Sequence, residues 1–168
     1  SGSAPAHPQS MHRDRFLLED GVAYLNHGSF GATPRAVLDA AETWRRRLEA
    51  EPVRFMHAEL PGLLRAAASR LALTMGAQGQ DLVFVDNATS GMNAVLRSLD
   101  LGAGAEILAT SHGYGAVAKT LAYVAARTGA RVTLAAIPFP VAGEEEILAA
   151  IAAAFTAHTR LLVIDHVT

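Results

Sequence analysis

The chain has 168 residues, 51% of them hydrophobic and 18% charged, with a formal net charge of −2. That length is enough for one domain with a real core, and no basic block argues for a nucleic-acid partner. No apolar run reaches the roughly 18 residues that span a bilayer. Cysteine is absent, which removes disulfides and thiolate metal sites and leaves the cytoplasm as the default location.

The opening SGSAPAHPQS is polar, lacks the apolar centre of a signal peptide, and begins like an expression tag, so residues 1–12 are expected outside the fold. Val22 to Asn26 reads as an extended arm, and Pro34 stands where a first helical turn begins. From Arg35 to about Glu51, residues Val37, Leu38, Ala41, Trp44 and Leu48 recur at helical spacing, and Pro52 ends that run. EPVRFMHAELPG reads as a connector. Leu60, Leu63, Leu64, Ala67, Leu71 and Met75 form a second amphipathic stripe, stopped at Gly76. Residues 13–75 are thus an arm followed by helices.

The rhythm changes over 76–168. DLVFVD (81–86) is a compact apolar strand, and the helix after it turns Met92, Val95, Leu96 and Leu99 inward. EILAT (106–110) is a strand, GAVAKTLAYVAARTG a helix closed by Gly129, and RVTLAAI (131–137) a strand. EEEILAAIAAAF is a helix with acids in its first turn, as the helix dipole favours, and RLLVID (160–165) is the last strand. Wholly apolar strands alternating with helices predict an α/β fold, a three-layer sandwich around a mostly parallel sheet. The sequence closes on LLVIDHVT, a buried-type strand with no helix behind it, which reads as part of a larger domain.

Three strand ends carry polar residues suited to a site. DNATSG follows the first strand, and a turn of small and hydroxyl residues at a helix start offers free N–H groups to an anion. Ala88, Thr89 and Ser90 would supply them; Thr89 or Asn87 as a plain N-cap is the competing reading. SHGYGAV follows the second strand and places His112 and Tyr114 between glycines, where a ligand can approach the backbone; a surface turn capped by Ser111 is the alternative. Asp165 ends the last strand, directly after apolar residues, where an unpartnered acid is expensive to bury. A helix cap or an exposed strand end would also explain it.

Other patterns fall short. HGSFG is not a G-x-S-x-G elbow, and adjacency in sequence gives Ser111 no reason to point at His112. LGAGAEIL precedes a strand instead of following one, so it is not a dinucleotide turn. The seven histidines are scattered, without the spacing of a metal site.

YLNHGSFGATP, EPVRFM, NATSGMNAVL, SHGYGAV and LLVIDHVT, in that order and spacing, resemble the N-terminal half of fold-type I pyridoxal phosphate enzymes. The resemblance is to the class V aminotransferases, and within them to the isopenicillin N epimerase-like branch. It implies an incomplete large domain of that fold binding pyridoxal 5′-phosphate, an amino acid as substrate, and a homodimer. By resemblance, Ala88, Thr89 and Ser90 take the cofactor phosphate, Tyr114 stacks on its ring with His112 as runner-up, and Asp165 holds the ring nitrogen. Thr168 is placed like a contact to the ring hydroxyl. Asn26, His27, Gly28 and Ser29 would line the substrate side, joined by Arg54 and Phe55 of the same or of a neighbouring subunit. The family's Schiff-base lysine lies beyond the aspartate strand. The one lysine here, Lys119, precedes that strand and reads as a surface residue, so these residues alone are expected to be inactive. Epimerisation, transamination and carbon–sulfur cleavage or desulfuration are the reactions implied. A phosphate-metabolite or nucleotide-binding α/β domain, or a non-catalytic fragment, is the alternative.

Overall fold

The computed structural model describes residues 12–167. Two compact units divide at Val83/Phe84.

In the first unit a short 3-10 turn at Arg13–Arg15 leads into the arm. Helix α1 (Arg35–Ala50) starts immediately after Pro34, whose extended backbone forms the N-cap. The expected connector is not a loop. Pro52 opens a new helical segment, α2 (Pro52–Arg54), which runs through a π turn at Phe55–Glu59 into α3 (Leu60–Met75). Proline both ends one helix and starts the next, because its fixed φ suits a first turn while its missing N–H cannot continue the turn before it.

The buried face of α3 also differs from the expected leucine stripe. Ala68 and Ala72 are buried, whereas Leu71 and Met75 are exposed. The physical reason is the tight approach of the 3-10 turn Gly79–Asp81. A side chain at Gly79 would fall within 2.7 Å of the Ser69 Cα, so only small residues fit this seam. Arg65 ties the turn down, donating to the carbonyls of Gly79 (2.8 Å) and Leu82 (2.5 Å). Gly76 closes α3 at φ +64, as its position predicted.

The second unit carries the sheet. Strands β1 (Glu106–Thr110), β2 (Arg131–Ala135) and β3 (Thr159–Val163) pair in the order β2-β1-β3, all parallel. Helix α4 (Ala88–Ser98) and α5 (Gly115–Thr128) cover one face; α6 (Glu144–Ala154) covers the other. This is the expected three-layer α/β arrangement. Every residue of central β1 is buried, the signature of a parallel strand covered on both sides. Leu96, Ile107, Leu121 and Val124 fill the α4/α5 side, and Leu108, Ala135 and Ile151 the α6 side. Met92 of α4 and Leu99 at its C-cap pack inward as expected, but Val95 is exposed.

The run 81–86 is a correction. It forms no strand among the described residues, and Val83, Phe84 and Val85 are exposed. A run of β-branched and aromatic residues favours an extended backbone, yet a strand also needs a neighbour to hydrogen-bond, and none is present there among the described residues.

Candidate active site

The second unit brings two of the predicted strand ends together. Asp165 lies two residues beyond β3, and the Ser111–Tyr114 turn leaves β1 beside it. The Tyr114 N–H donates to Asp165 Oδ2 at 2.7 Å, across 51 positions of sequence. That length is typical of a charge-assisted bond. Tyr114 is the N-cap of α5, so the carboxylate sits at a helix start, a favourable place for an anion. Gly113 keeps the turn itself uncrowded. A side chain there would lie 3.3 Å from the Thr110 carbonyl oxygen and 3.9 Å from Asp165 Oδ2.

Asp165 is half-buried and forms no ion pair among the described residues. Beside it runs a cavity of about 530 Å³ between α5 and the sheet. Thr110, Ser111, Gly113 and Asp165 line it at the strand ends, with Val117, Leu121 and Val163 along its apolar wall. Carboxyl ends of parallel strands are where α/β folds place their ligands. The Thr110 hydroxyl, also buried there, has no hydrogen-bond partner among the described residues.

The neighbours of Asp165 divide by role. Ser111 Oγ accepts the Ile137 N–H at 2.9 Å, which fastens the turn to the chain beyond β2 and gives Ser111 a structural task. His112 is half-buried and edge-on to Phe139, ring centroids 6.2 Å apart. Tyr114 instead presents a ring 62% exposed. Of the two aromatics considered for stacking, Tyr114 therefore has the free face.

At the start of α4, Asn87 is the N-cap, its Oδ1 accepting the Ser90 N–H at 2.8 Å. The cap engages the Ser90 N–H, while the first-turn N–H groups of Ala88 and Thr89 have no intrahelical acceptor. Thr89 is half-buried, and its carbonyl accepts from Asn93, which also donates to Thr120 of α5 at 3.1 Å. Helices α4 and α5 are thereby linked side by side near their amino ends.

The predicted substrate-side residues belong to the first unit. There YLNHGSFGATP is held by its own contacts. The Tyr24 hydroxyl donates to the Phe30 carbonyl, the Phe30 N–H to the Asn26 carbonyl (3.0 Å), and the Ala32 N–H to His27 Nδ1 (3.3 Å). The His27 ring lies against those of Phe16 and Tyr24. Gly28 and Ser29 are exposed at the tip. Phe55 is buried against Trp44, and Arg54 pairs with Glu51 and Glu59, each at 3.1 Å. Lys119 is exposed on α5. Thr168 lies outside the described residues.

Two residues escaped the sequence reading. Thr110 is one. Glu106 is the other, at the opposite end of β1. It is buried, and its carboxylate accepts from Arg131 (2.7 Å), Thr159 (2.9 Å), Thr133 (3.0 Å) and Thr156 (3.1 Å). Arg131, then the Thr159 hydroxyl, hold its pKa down to about 2, against the cost of burial. The available signal was an acid opening an apolar strand, since such an acid must find donors.

The class-V aminotransferase family model matches residues 23–168. The chain belongs to this family. Members of the family depend on pyridoxal phosphate, and the parallel sheet is part of the fold-type I large domain. The chain is 37% identical over 164 residues to a putative L-cysteine desulfhydrase 1 of Oryza sativa subsp. japonica, covering 89% of this chain and 34% of that one. It is 37% identical over 158 residues to the isopenicillin N epimerase of Amycolatopsis lactamdurans, covering 92% and 39%. Among solved structures it resembles a C-DES mutant with glycine covalently linked to its pyridoxal phosphate cofactor. There the TM-score is 0.75 at 25% identity, over 92% of this chain and 40% of that one. A second neighbour is the complex of the cystine C-S lyase C-DES with cysteine persulfide, TM-score 0.73, again at 25% identity, over 85% and 38%. The chain thus spans between a third and two fifths of the length of these proteins.

Proposed function

We propose that this chain forms the amino-terminal part of a pyridoxal phosphate-dependent enzyme that labilises a bond at the α-carbon of an amino acid. The observation that carries the reading is Asp165, a half-buried carboxylate that pairs with no cation among the described residues, held by one backbone N–H beside a cavity that runs along α5 from the strand ends. The residues fit the cofactor. A protonated ring nitrogen would give Asp165 the cationic partner it lacks, and an adjacent anion favours that proton staying in place. The exposed Tyr114 ring would cover one face of the pyridine, and the Ala88 and Thr89 N–H groups at the α4 start would meet the phosphate. When bound, pyridoxal phosphate supplies an electron sink for charge developing at the α-carbon.

The arm residues Asn26, His27, Gly28 and Ser29, with Arg54 and Phe55, stand in this proposal as substrate-side contacts, and Thr168 as a contact to the cofactor ring hydroxyl. The named relatives include a putative cysteine desulfhydrase and an epimerase. Sulfide release from L-cysteine and loss of configuration at the α-carbon are therefore the two outcomes to assay. A cytoplasmic homodimer completes the proposal, on the family resemblance; a monomer by light scattering would remove that part. The principal test is absorbance of the full-length protein. Pyridoxal phosphate held by the enzyme should give a visible band that borohydride abolishes, and a protein that never takes up the cofactor would sink the reading.

A further inference from the structure

Asp165 and Tyr114 are joined by a contact that the proposed roles of their side chains do not require. A ring stacked on a cofactor needs only the tyrosine side chain. The hydrogen bond comes instead from the backbone, at the N-cap of α5, and it occupies Asp165 Oδ2 at 2.7 Å. No other hydrogen bond to the Asp165 carboxylate is present among the described residues, which leaves Oδ1 open. A carboxylate on a strand end has free rotation about two side-chain bonds, and one strong donor is enough to choose a rotamer.

We propose that the Tyr114 backbone N–H is a positioning group for Asp165. It takes one carboxylate oxygen and thereby presents the other to the cationic ring of the cofactor before any ligand arrives. The inference rests on the pyridoxal phosphate reading above. The surrounding geometry supports it. Gly113 eases the turn that carries the donor, since a Cβ there would crowd the Thr110 carbonyl oxygen at 3.3 Å. Ser111, two residues before Gly113, is fastened through its hydroxyl to the Ile137 N–H, so the turn that carries the donor is itself anchored. Pre-organisation of this kind lowers what binding must spend on ordering the site.

The backbone donor can be removed by substitution. Tyr114 has φ −63 and ψ 130, within the range of proline, whose ring Cδ stands where the N–H pointed and so both removes the donor and turns Asp165 Oδ2 away. Tyr114→Ala deletes the ring and keeps the N–H; Tyr114→Pro deletes both. Each is made in the full-length protein with Asp165 intact and with Asp165→Ala, and titrated with pyridoxal 5′-phosphate across pH. With Asp165 intact, the proline variant should bind about tenfold more weakly than the alanine variant, the size expected for a hydrogen bond to a charged group. The pH at which the bound cofactor changes its spectrum should also move between the two. With Asp165→Ala, the two should agree within about twofold, which separates positioning from a general effect of proline on the turn. Amide exchange at Tyr114 in the cofactor-free protein supplies a readout independent of binding: slow with Asp165, fast with Asp165→Ala. Equal affinities for the proline and alanine variants, or a tenfold gap that persists without Asp165, would overturn the positioning role while leaving the cofactor reading intact. Unchanged exchange on loss of Asp165 would overturn it as well. A protein that shows the exchange difference and yet binds no pyridoxal phosphate would overturn the function proposed above, and the positioning role with it.

Discussion

Glu106 and Asp165 are two carboxylates at opposite ends of one parallel sheet, and they are treated in opposite ways. Glu106, at the amino end of β1, is buried and surrounded by an arginine and three threonine hydroxyls. Asp165, at the carboxyl end beside β3, has one backbone donor and a cavity. The saturated acid ties together β1, β2 and the turn into β3, and has no capacity left for a ligand. The unsaturated acid does little for the sheet and keeps an oxygen free. Donor count around a carboxylate thus separates a structural group from a site group where residue type alone does not.

The contrast predicts crossed phenotypes. Asp165→Ala in the full-length protein should weaken pyridoxal phosphate binding by about 100-fold, as expected for losing a bond to a charged group, while the unfolding midpoint moves less than in any Glu106 variant. Titration followed by absorbance, beside thermal melts, checks both halves. Glu106→Gln should do the reverse. It puts an amide where four donors expect an anion, lowering the melting midpoint and leaving cofactor affinity of the folded protein within about twofold. If Glu106→Gln weakened the cofactor as much as Asp165→Ala, the division of labour along β1 would be wrong.

Acid sharpens the same comparison. The Glu106 pKa falls from 4.5 to about 2 on folding, so its contribution is fully present above pH 4.5 and is lost as pH drops through about 2. Wild-type stability should decline across that window, and Glu106→Gln should flatten the decline; equal slopes for the two would argue against the network. Smaller effects come from positions remote from both acids. Gly129 closes α5 at φ +76, with Ala103 only 3.2 Å from where a Cβ would sit. Gly129→Ala should therefore cost about 1–2 kcal/mol in denaturant unfolding. Asn87→Ala, which removes the cap on Ser90, should cost about 1 kcal/mol by the same measurement.

Much of this was legible in the residues. Gly76 and Gly129 marked helix ends because a left-handed cap position favours glycine wherever it occurs. The strands read at 106–110, 131–137 and 160–165 announced themselves as short apolar runs between helical periods, and the observed β2 and β3 each end two residues earlier, at Ala135 and Val163. Asp165 stood out because an acid after such a run needs a reason. The misreadings share one cause. The run at 81–86 was extended but unpaired, the connector at 52–59 was helical, and α3 buried alanines in place of leucines, each depending on which neighbour packs there. The Tyr114 N–H could not have been seen, since its acceptor lies 51 positions away and its donor is the backbone.

The order of the amino acids by itself determined the α/β class, the approximate course of three strands, and the polar residues that follow two of them, because periodicity and turn chemistry act over a few neighbouring residues. It also carried enough of the family's pattern to place the chain among the class V enzymes. Only the tertiary structure decided which carboxylate is surrounded and which is open, which aromatic is free, and where the cavity lies. Those properties depend on segments tens of residues apart meeting at one end of a sheet, and burial and hydrogen bonding are settled by that meeting.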